Sequence, residues 1–331
     1  MKSIAFGVFA ICAIAALPAL SQTPSRITFP SVSCIHDKAF DDNCTKLSVS
    51  AELFLPASKT QAVVIISHGS QGLDERHPAY AKHLVNNGMA ALVVAHWQSR
   101  GITQSQRDFA ANEKRGARAF NQALDALSAI EFLARSHPDL KKFGYLGESA
   151  GGTAALWTRR PYLYKVYKRV WGVESRVPDA TVGLYSGCFE RNSEDRFLPK
   201  PLLLISGELD NNTPAALCWR YADWINERGG QAEVIGLPGQ HHDFDAPYPV
   251  RQSPNAENPS QCASLIDSAL KKRIWEKTGE AFDLTAEGYR AFQRKCLDAS
   301  KGIRVAGGNT GSMRTGYAEW TAFFRKYLLA P

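Results

Sequence analysis

The sequence predicts an α/β fold built on a doubly wound, mainly parallel sheet flanked by helices. Three observations carry this reading. Continuous apolar runs rich in β-branched residues, Ala62-Val-Val-Ile-Ile66 and Ala90-Ala-Leu-Val-Val-Ala95, are those of strands buried on both faces. Segments with apolar residues at helical spacing alternate with such runs, which is the pattern of strand–helix–strand units. Finally, Phe143-Gly-Tyr-Leu-Gly-Glu-Ser-Ala-Gly-Gly152 passes from an apolar strand through small residues into a helix-compatible stretch.

Taken in order, residues 26–45 read as an N-terminal extension stapled by a cysteine pair. Leu47 to Leu55 alternates apolar and polar residues and predicts a half-exposed strand ending at Pro56. The run to Ile66 ends in the turn Ser67-His-Gly-Ser-Gln-Gly72. A helix over Pro78–Asn87 is closed by Gly88. After the Ala90–Ala95 strand, His96 to Gly116 is polar and irregular. Phe120, Leu124, Leu127, Ile130 and Ala134 then mark an amphipathic helix to Ser136. Arg159 to Trp171 interleaves basic and aromatic residues, read as an amphipathic surface segment. Thr181–Tyr185, Leu202–Ile205 and Ala232–Leu237 are further strands, with a helix over Ala215–Arg228 before the last. Pro247 to Gly316 reads as an insertion or cap with helical pieces at Cys262–Trp275 and Thr285–Cys296. It is too short for an independent core without a staple. Tyr317–Leu329 is an amphipathic terminal helix.

The 331 residues suffice for one large domain, expected over 22–331. The first 21 residues read as a signal peptide: Lys2, a short apolar run from Ile4 to Leu17, then small residues before a cleavage point after Ser21. The expected product is an exported protein, periplasmic or secreted, without a stable membrane anchor. The net charge of +7 is spread along the chain, so nucleic-acid binding is not expected. Beyond Cys12 in the leader, Cys34, Cys44, Cys188, Cys218, Cys262 and Cys296 form an even set without metal-ligand spacing. Export favours disulfides. Sequential pairing is expected: Cys34–Cys44, Cys188–Cys218 and Cys262–Cys296. No cofactor or metal motif appears.

Chemistry centres on Gly147-Glu-Ser-Ala-Gly151. A serine on a sharp strand-to-helix turn stands clear of the sheet, and flanking glycines remove side chains that would collide there. Ser149 is the candidate nucleophile. A serine hydroxyl needs a base, a carboxylate to orient that base, and donors for an oxyanion. In this architecture such groups follow the carboxyl ends of strands. Asp210, in Ser206-Gly-Glu-Leu-Asp210, is the acid candidate, with Glu208 in reserve; the plain alternative is a helix cap. His241 and His242, after Pro238-Gly-Gln, are the base candidates in the chain order Ser…Asp…His. The oxyanion donors expected are the N–H groups of Ala150 and Ser70, with Gln71 in reserve. His68 is read as a structural hydrogen-bonding residue at the site's edge. Trp97 is a pocket candidate, and Arg100 either binds an anionic substrate group or pairs with a local acid.

Together, His68-Gly-Ser-Gln-Gly72, Arg100-Gly101, Gly147–Gly152, Ser-Gly-Glu-Leu-Asp210 and Pro238-Gly-Gln-His-His-Asp-Phe-Asp245 resemble the α/β-hydrolase superfamily. More narrowly, they resemble exported proteins of the dienelactone hydrolase-like group. The likeness spans Leu47 to Asp245 and the final helix. It implies the α/β-hydrolase fold and hydrolysis of a small-molecule ester or lactone without a cofactor, while the helical insertion after the last strand and the three expected disulfides set the chain apart from the compact cytosolic enzymes. That group's Pro-Gly-x-x-His-x-Phe-Asp pattern places the base at His242 and leaves His241 lining the site or facing solvent. Dienelactone hydrolases proper carry a cysteine nucleophile, where this chain has Ser149.

Overall fold

The computed structural model describes residues 23–34, 44–103, 112, 114–256 and 258–330. The expected signal peptide and most of the polar stretch after Thr103 lie outside the described residues. The strands are β1 (Ser25–Cys34), β2 (Cys44–Phe54), β3 (Ala62–Ser67), β4 (Ala90–Val94), β5 (Lys142–Glu148), β6 (Ala180–Leu184) and β7 (Glu190–Asn192). They continue as β8 (Pro201–Gly207), β9 (Gln231–Leu237), β10 (Arg251–Ala256), β11 (Ser264–Asp267), β12 (Lys272–Trp275), β13 (Ala281–Asp283) and β14 (Gly302–Ala306). The helices are α1 (Arg76–Asn86), α2 (Ala119–Ser136), α3 (Ala150–Trp157), α4 (Pro161–Trp171), α5 (Ala215–Asn226), α6 (Ala286–Ala299) and α7 (Thr310–Phe324).

Eight strands form the central sheet in the order β1-β2-β4-β3-β5-β6-β8-β9. The pairs β1·β2 and β2·β4 are antiparallel, and the rest are parallel. Alternation along β3 explains why its residues are all apolar up to Ile66. Val63 and Ile65 enter the core under α2, α3, α4 and α5, while Ala62, Val64 and Ile66 enter the core under α1 and α7. Helices on both faces leave no polar side for a strand to present.

Three elements differ from the sequence expectation. The N-terminal extension contains β1, fully paired with β2 from Ser25↔Leu53 to Cys34↔Cys44. Cys262–Trp275 is not a helix: β11 and β12 pair antiparallel, Ser264 opposite Trp275, around a turn with Lys271 at φ 52°. Short apolar pairs fit either period, and here β7 and β13 supply the flanking strands that decide it. The Thr285–Cys296 helix is present as α6, with Thr285 Oγ1 capping Gly288 N at 3.0 Å. The insertion is therefore mixed, and its own core is small: Trp275, Phe282, Phe292 and Cys296. The terminal helix starts at Thr310, a full two turns early, because Asn309 and Ser312 form a reciprocal capping box. Gly316 does not break it: a Cβ there would stand 2.7 Å from Phe244 Cε2, so the glycine lets α7 press onto the loop after β9.

Disulfides join Cys34 to Cys44, Cys188 to Cys218 and Cys262 to Cys296. The second ties the segment after β6 to α5, the helix that follows Asp210. Among the described residues no helix is long and apolar enough to cross a membrane. Arg159 and Arg160 turn inward rather than to the surface, at 1% and 7% exposed. Arg159 donates to Pro178 O and Thr181 Oγ1, and Arg160 to Glu190 O, Asp195 and the Tyr221 hydroxyl.

Candidate active site

β5 delivers Ser149 and α3 begins at the next residue. Ser149 has φ 49° and ψ −107°, a conformation that side chains avoid. Both flanking glycines are required by contact. A Cβ on Gly147 would lie 2.1 Å from Gly151 O, and one on Gly151 would lie 2.4 Å from Ser67 O. The turn is tied down by Ser149 N donating to Leu184 O at 2.9 Å and by Thr153 N donating to Ser149 O at 2.8 Å. Ser149 remains partly exposed, so its hydroxyl is reachable.

The loop after β9 brings His242 over the elbow. His242 Nε2 lies 3.2 Å from Ser149 Oγ, and Nδ1 lies 2.8 Å from Asp210 Oδ2. Asp210, in the turn after β8, accepts Asn212 N and Thr213 N on Oδ1, both at 2.8 Å, and the Thr213 hydroxyl on Oδ2 at 2.7 Å. Burial works against a charged His242, but the Asp210 carboxylate, with Asp243 beside it, outweighs burial and raises the pKa. Burial likewise opposes the Asp210 anion, and His242 with Thr213 outweighs it and lowers the pKa. The two groups thus favour an ion pair, the state in which an imidazole has just accepted a proton.

The insertion closes the back of this loop. Gly307 N donates to His242 O at 2.8 Å, and His242 bridges Ala306 of β14. Ser312 Oγ of α7 donates to Phe244 O at 2.6 Å. Tyr185, at the end of β6, sets its ring 4.7 Å from the imidazole.

Ala150 opens α3, so its N–H has no acceptor within the helix. Ser70 lies in the turn after β3, and neither N–H donates to a protein acceptor among the described residues. Gly69 brings that turn up to the elbow; a Cβ on it would be 3.2 Å from Ser149 Cβ. Gln71 is exposed at the turn's outer edge.

The remaining sequence candidates fall elsewhere. His68 is wholly buried, its Nδ1 2.8 Å from Gly69 O, and its ring meets those of His77, His96 and Trp97 edge-on. Burial, then the neighbouring histidines, hold its pKa well below the ordinary value, so it is neutral. Trp97 is packed against it at 9% exposed. Arg100 is engaged with a local acid: its guanidinium spans Asp125 at 2.7 and 3.1 Å, with its side chain 3% exposed. His241 is partly exposed and turns Nδ1 to Leu209 O at 3.1 Å, away from Ser149. Glu208 lies in the turn with no bond to His242. A surface hollow lined by Arg196, Glu227, Arg228 and Gly229 sits before the start of β9, at the opposite end of the parallel strands from Ser149.

Sequence reasoning passed over the charged residues beneath the elbow. Arg76, His77, Glu148, Asp243 and Asp245 are all buried, as are the tyrosines Tyr80 and Tyr185. Burial opposes the charged form of His77, but Asp74 and Glu148 raise its pKa to about 9. Burial opposes the Glu148 anion too, and Arg76 with His77 carries it well below the carboxylate range. Burial lifts Asp245 to about 6 against the pull of Arg76. Glu148 stood in the elbow motif at a position where it allows any residue, and Asp243 and Asp245 stood in the motif around His242, which was read for its histidine alone. Among the described residues no group of histidines, cysteines and carboxylates could hold a metal ion.

The family model that matches residues 49–284 is described as the dienelactone hydrolase family. The chain belongs to that family, a family of hydrolytic enzymes with the α/β-hydrolase fold. Similar solved structures include a protein assigned as a dienelactone hydrolase from Klebsiella pneumoniae subsp. pneumoniae, at TM-score 0.52 and 15% identity, covering 91% of this chain and 100% of the other. Another is the dienelactone hydrolase of Anabaena variabilis, at TM-score 0.48 and 16% identity, covering 93% and 100%. A third is the acylaminoacyl peptidase of Pyrococcus horikoshii, at TM-score 0.48 and 14% identity, covering 66% of this chain and 37% of that one. At these identities the likeness is one of fold. No curated protein matches the chain.

Proposed function

We propose that the chain is an exported serine hydrolase that cleaves carboxylic esters or lactones through Ser149, His242 and Asp210. The observation that carries this reading is the 3.2 Å approach of His242 Nε2 to Ser149 Oγ, with Nδ1 held at 2.8 Å on a buried carboxylate. Membership of the dienelactone hydrolase family supports it. Three disulfides support export, since thiols stay reduced in the cytosol.

In the reaction, Ser149 Oγ attacks the carbonyl carbon as its proton passes to His242 Nε2. Asp210 stabilises the imidazolium, and the Ser70 and Ala150 N–H groups receive the oxyanion. Collapse of the tetrahedral species breaks the carbon–oxygen bond, and the alcohol departs with the proton held by His242. Water then adds to the acyl-enzyme, giving its proton to His242 in turn. Acid is released and the Ser149 hydroxyl is restored.

The test is hydrolysis of p-nitrophenyl esters of increasing chain length, with aminoacyl amides as the comparison. Ser149→Ala is expected to lower kcat on the order of 10⁶-fold with the fold intact. Ester hydrolysis retained in that variant overturns the assignment, and turnover of the amides in preference to the esters moves it to a peptidase.

A further inference from the structure

One buried cation touches the residues next to Ser149 and His242 and is linked to Asp210 through Tyr185 and Thr213. Arg76 is the first residue of α1 and is 4% exposed. Its Nε and Nη2 hold Asp74 Oδ2 at 3.0 and 2.7 Å. Its Nη1 reaches in the other direction: Glu148 Oε2 at 2.8 Å, the Tyr185 hydroxyl at 3.1 Å, Asp243 Oδ1 at 3.3 Å and Asp245 Oδ1 at 3.7 Å. Glu148 immediately precedes Ser149, and Asp243 immediately follows His242. Thr213 Oγ1, whose one proton faces both acceptors, lies 2.9 Å from Tyr185 O and 2.7 Å from Asp210 Oδ2.

The backbone gives a second, independent observation. Five described residues other than glycine have positive φ, and three of them are Ser149 at 49°, Tyr185 at 36° and Asp243 at 58°. Such conformations persist only where surrounding contacts over-determine them. These three turns come from different strand ends, and the Arg76 guanidinium lies where they meet. Without it, Glu148, Asp243 and Asp245 would face one another in the interior, with His77 3.3 Å from Glu148 Oε1 and Arg304 3.6 Å from Asp243 Oδ2 as the remaining cations.

We propose that Arg76 is a positioning residue that clamps the nucleophile elbow to the base loop and so sets the Ser149–His242 separation. The proposal rests on the triad reading above. A planar fork with donors on three nitrogens suits several carboxylates arriving from different directions, a task an ammonium performs poorly.

The experiment measures kcat, KM and the second-order rate of fluorophosphonate labelling of Ser149, each on the pH-independent plateau, for the whole exported chain. Arg76→Met, confirmed folded by near-ultraviolet circular dichroism, is expected to lose on the order of 10²-fold in kcat and in labelling rate, with KM changed less than about three-fold. Arg76→Lys is expected to recover only part of that loss. If Arg76→Met does not fold, Asp243→Asn carries the test: it releases the base-loop arm, the plateau measurement removes its effect on the His242 charge, and Arg304→Met, which removes the other cation on Asp243 at 3.6 Å, is the control expected to keep kcat; about a ten-fold loss in kcat at unchanged KM is expected for Asp243→Asn, smaller than for the whole clamp. Folded Arg76→Met or Asp243→Asn with wild-type kcat and labelling, differing only in melting temperature, overturns the clamp alone, provided Ser149→Ala is inactive. An active Ser149→Ala overturns the triad and the clamp together.

Discussion

Two serine–histidine–aspartate relays lie among the described residues, and one of them is a candidate site. Ser67 Oγ is 2.8 Å from His96 Nε2, and His96 Nδ1 is 2.7 Å from Asp125 Oδ2. The distances at Ser149, His242 and Asp210 are no shorter, at 3.2 and 2.8 Å. What separates them is surroundings. Ser67 and His96 are both 0% exposed, and Ser67 lies within a strand, so no substrate reaches it. Asp125 already has a cation: Arg100 neutralises it, and burial, with the Arg100 charge, leaves the His96 pKa below the ordinary value despite Asp125. Asp210 has no such partner among the described residues, so its charge goes to His242 and raises that pKa. Hydrogen-bond geometry is thus common to a structural relay and a reactive one. Exposure of the serine, strain at its turn and an acid left for the imidazole are what single out Ser149 as the one proposed to react.

This contrast can be broken by substitution, with Ser149→Ala the largest expected loss. Asp210→Asn should lower kcat on the order of 10⁴-fold, because the imidazole loses its orientation and its charge partner. Asp125→Asn should instead leave activity per folded molecule near wild type and cost about 3–5 kcal/mol of stability, since Arg100 is left buried and unpaired. Steady-state kinetics beside urea denaturation separates the two; equal kinetic losses would erase the distinction.

The protonation states give two further tests. His242 must be neutral to accept a proton, and its pKa lies above the ordinary 6.5. Activity should therefore fall on acidification along a limb centred above that value, and kcat/KM against pH checks it; a limb below 6.5 contradicts the assigned charge balance. Stability should move the other way. The folded pKa of His77, about 9, exceeds its ordinary 6.5, so its contribution is whole below 6.5 and is lost as pH rises through 9. The shift corresponds to about 3 kcal/mol. His242 acts in the same direction. Asp245, raised from 3.8 to about 6, does so at lower pH and adds only the last part of its own loss above pH 6. Denaturation midpoints at pH 6 and 9 read the loss, and His77→Gln should flatten it.

The sequence made the catalytic candidates legible for a physical reason. Ser149 and Asp210 each follow a buried apolar run, and His242 follows the half-buried edge strand β9 through a Pro-Gly turn, signals that are visible without coordinates. The clamp beneath them was hidden, because Arg76 lies 72 residues from Glu148 and 167 from Asp243, and buried charges at those separations follow no period. Arg100 left two readings open until Asp125, on the inward face of α2, came within 2.7 Å. The β11–β12 hairpin escaped because its pairing depends on β7, contributed from the far side of β8.

The most direct measurement is mass-spectrometric mapping of the fluorophosphonate adduct on the intact protein. The account predicts a single modified serine, Ser149, with the adduct lost in Ser149→Ala and retained, along with ester hydrolysis, in Ser67→Ala. An unlabelled Ser149 in active protein, or an adduct and activity that survive Ser149→Ala, would contradict it.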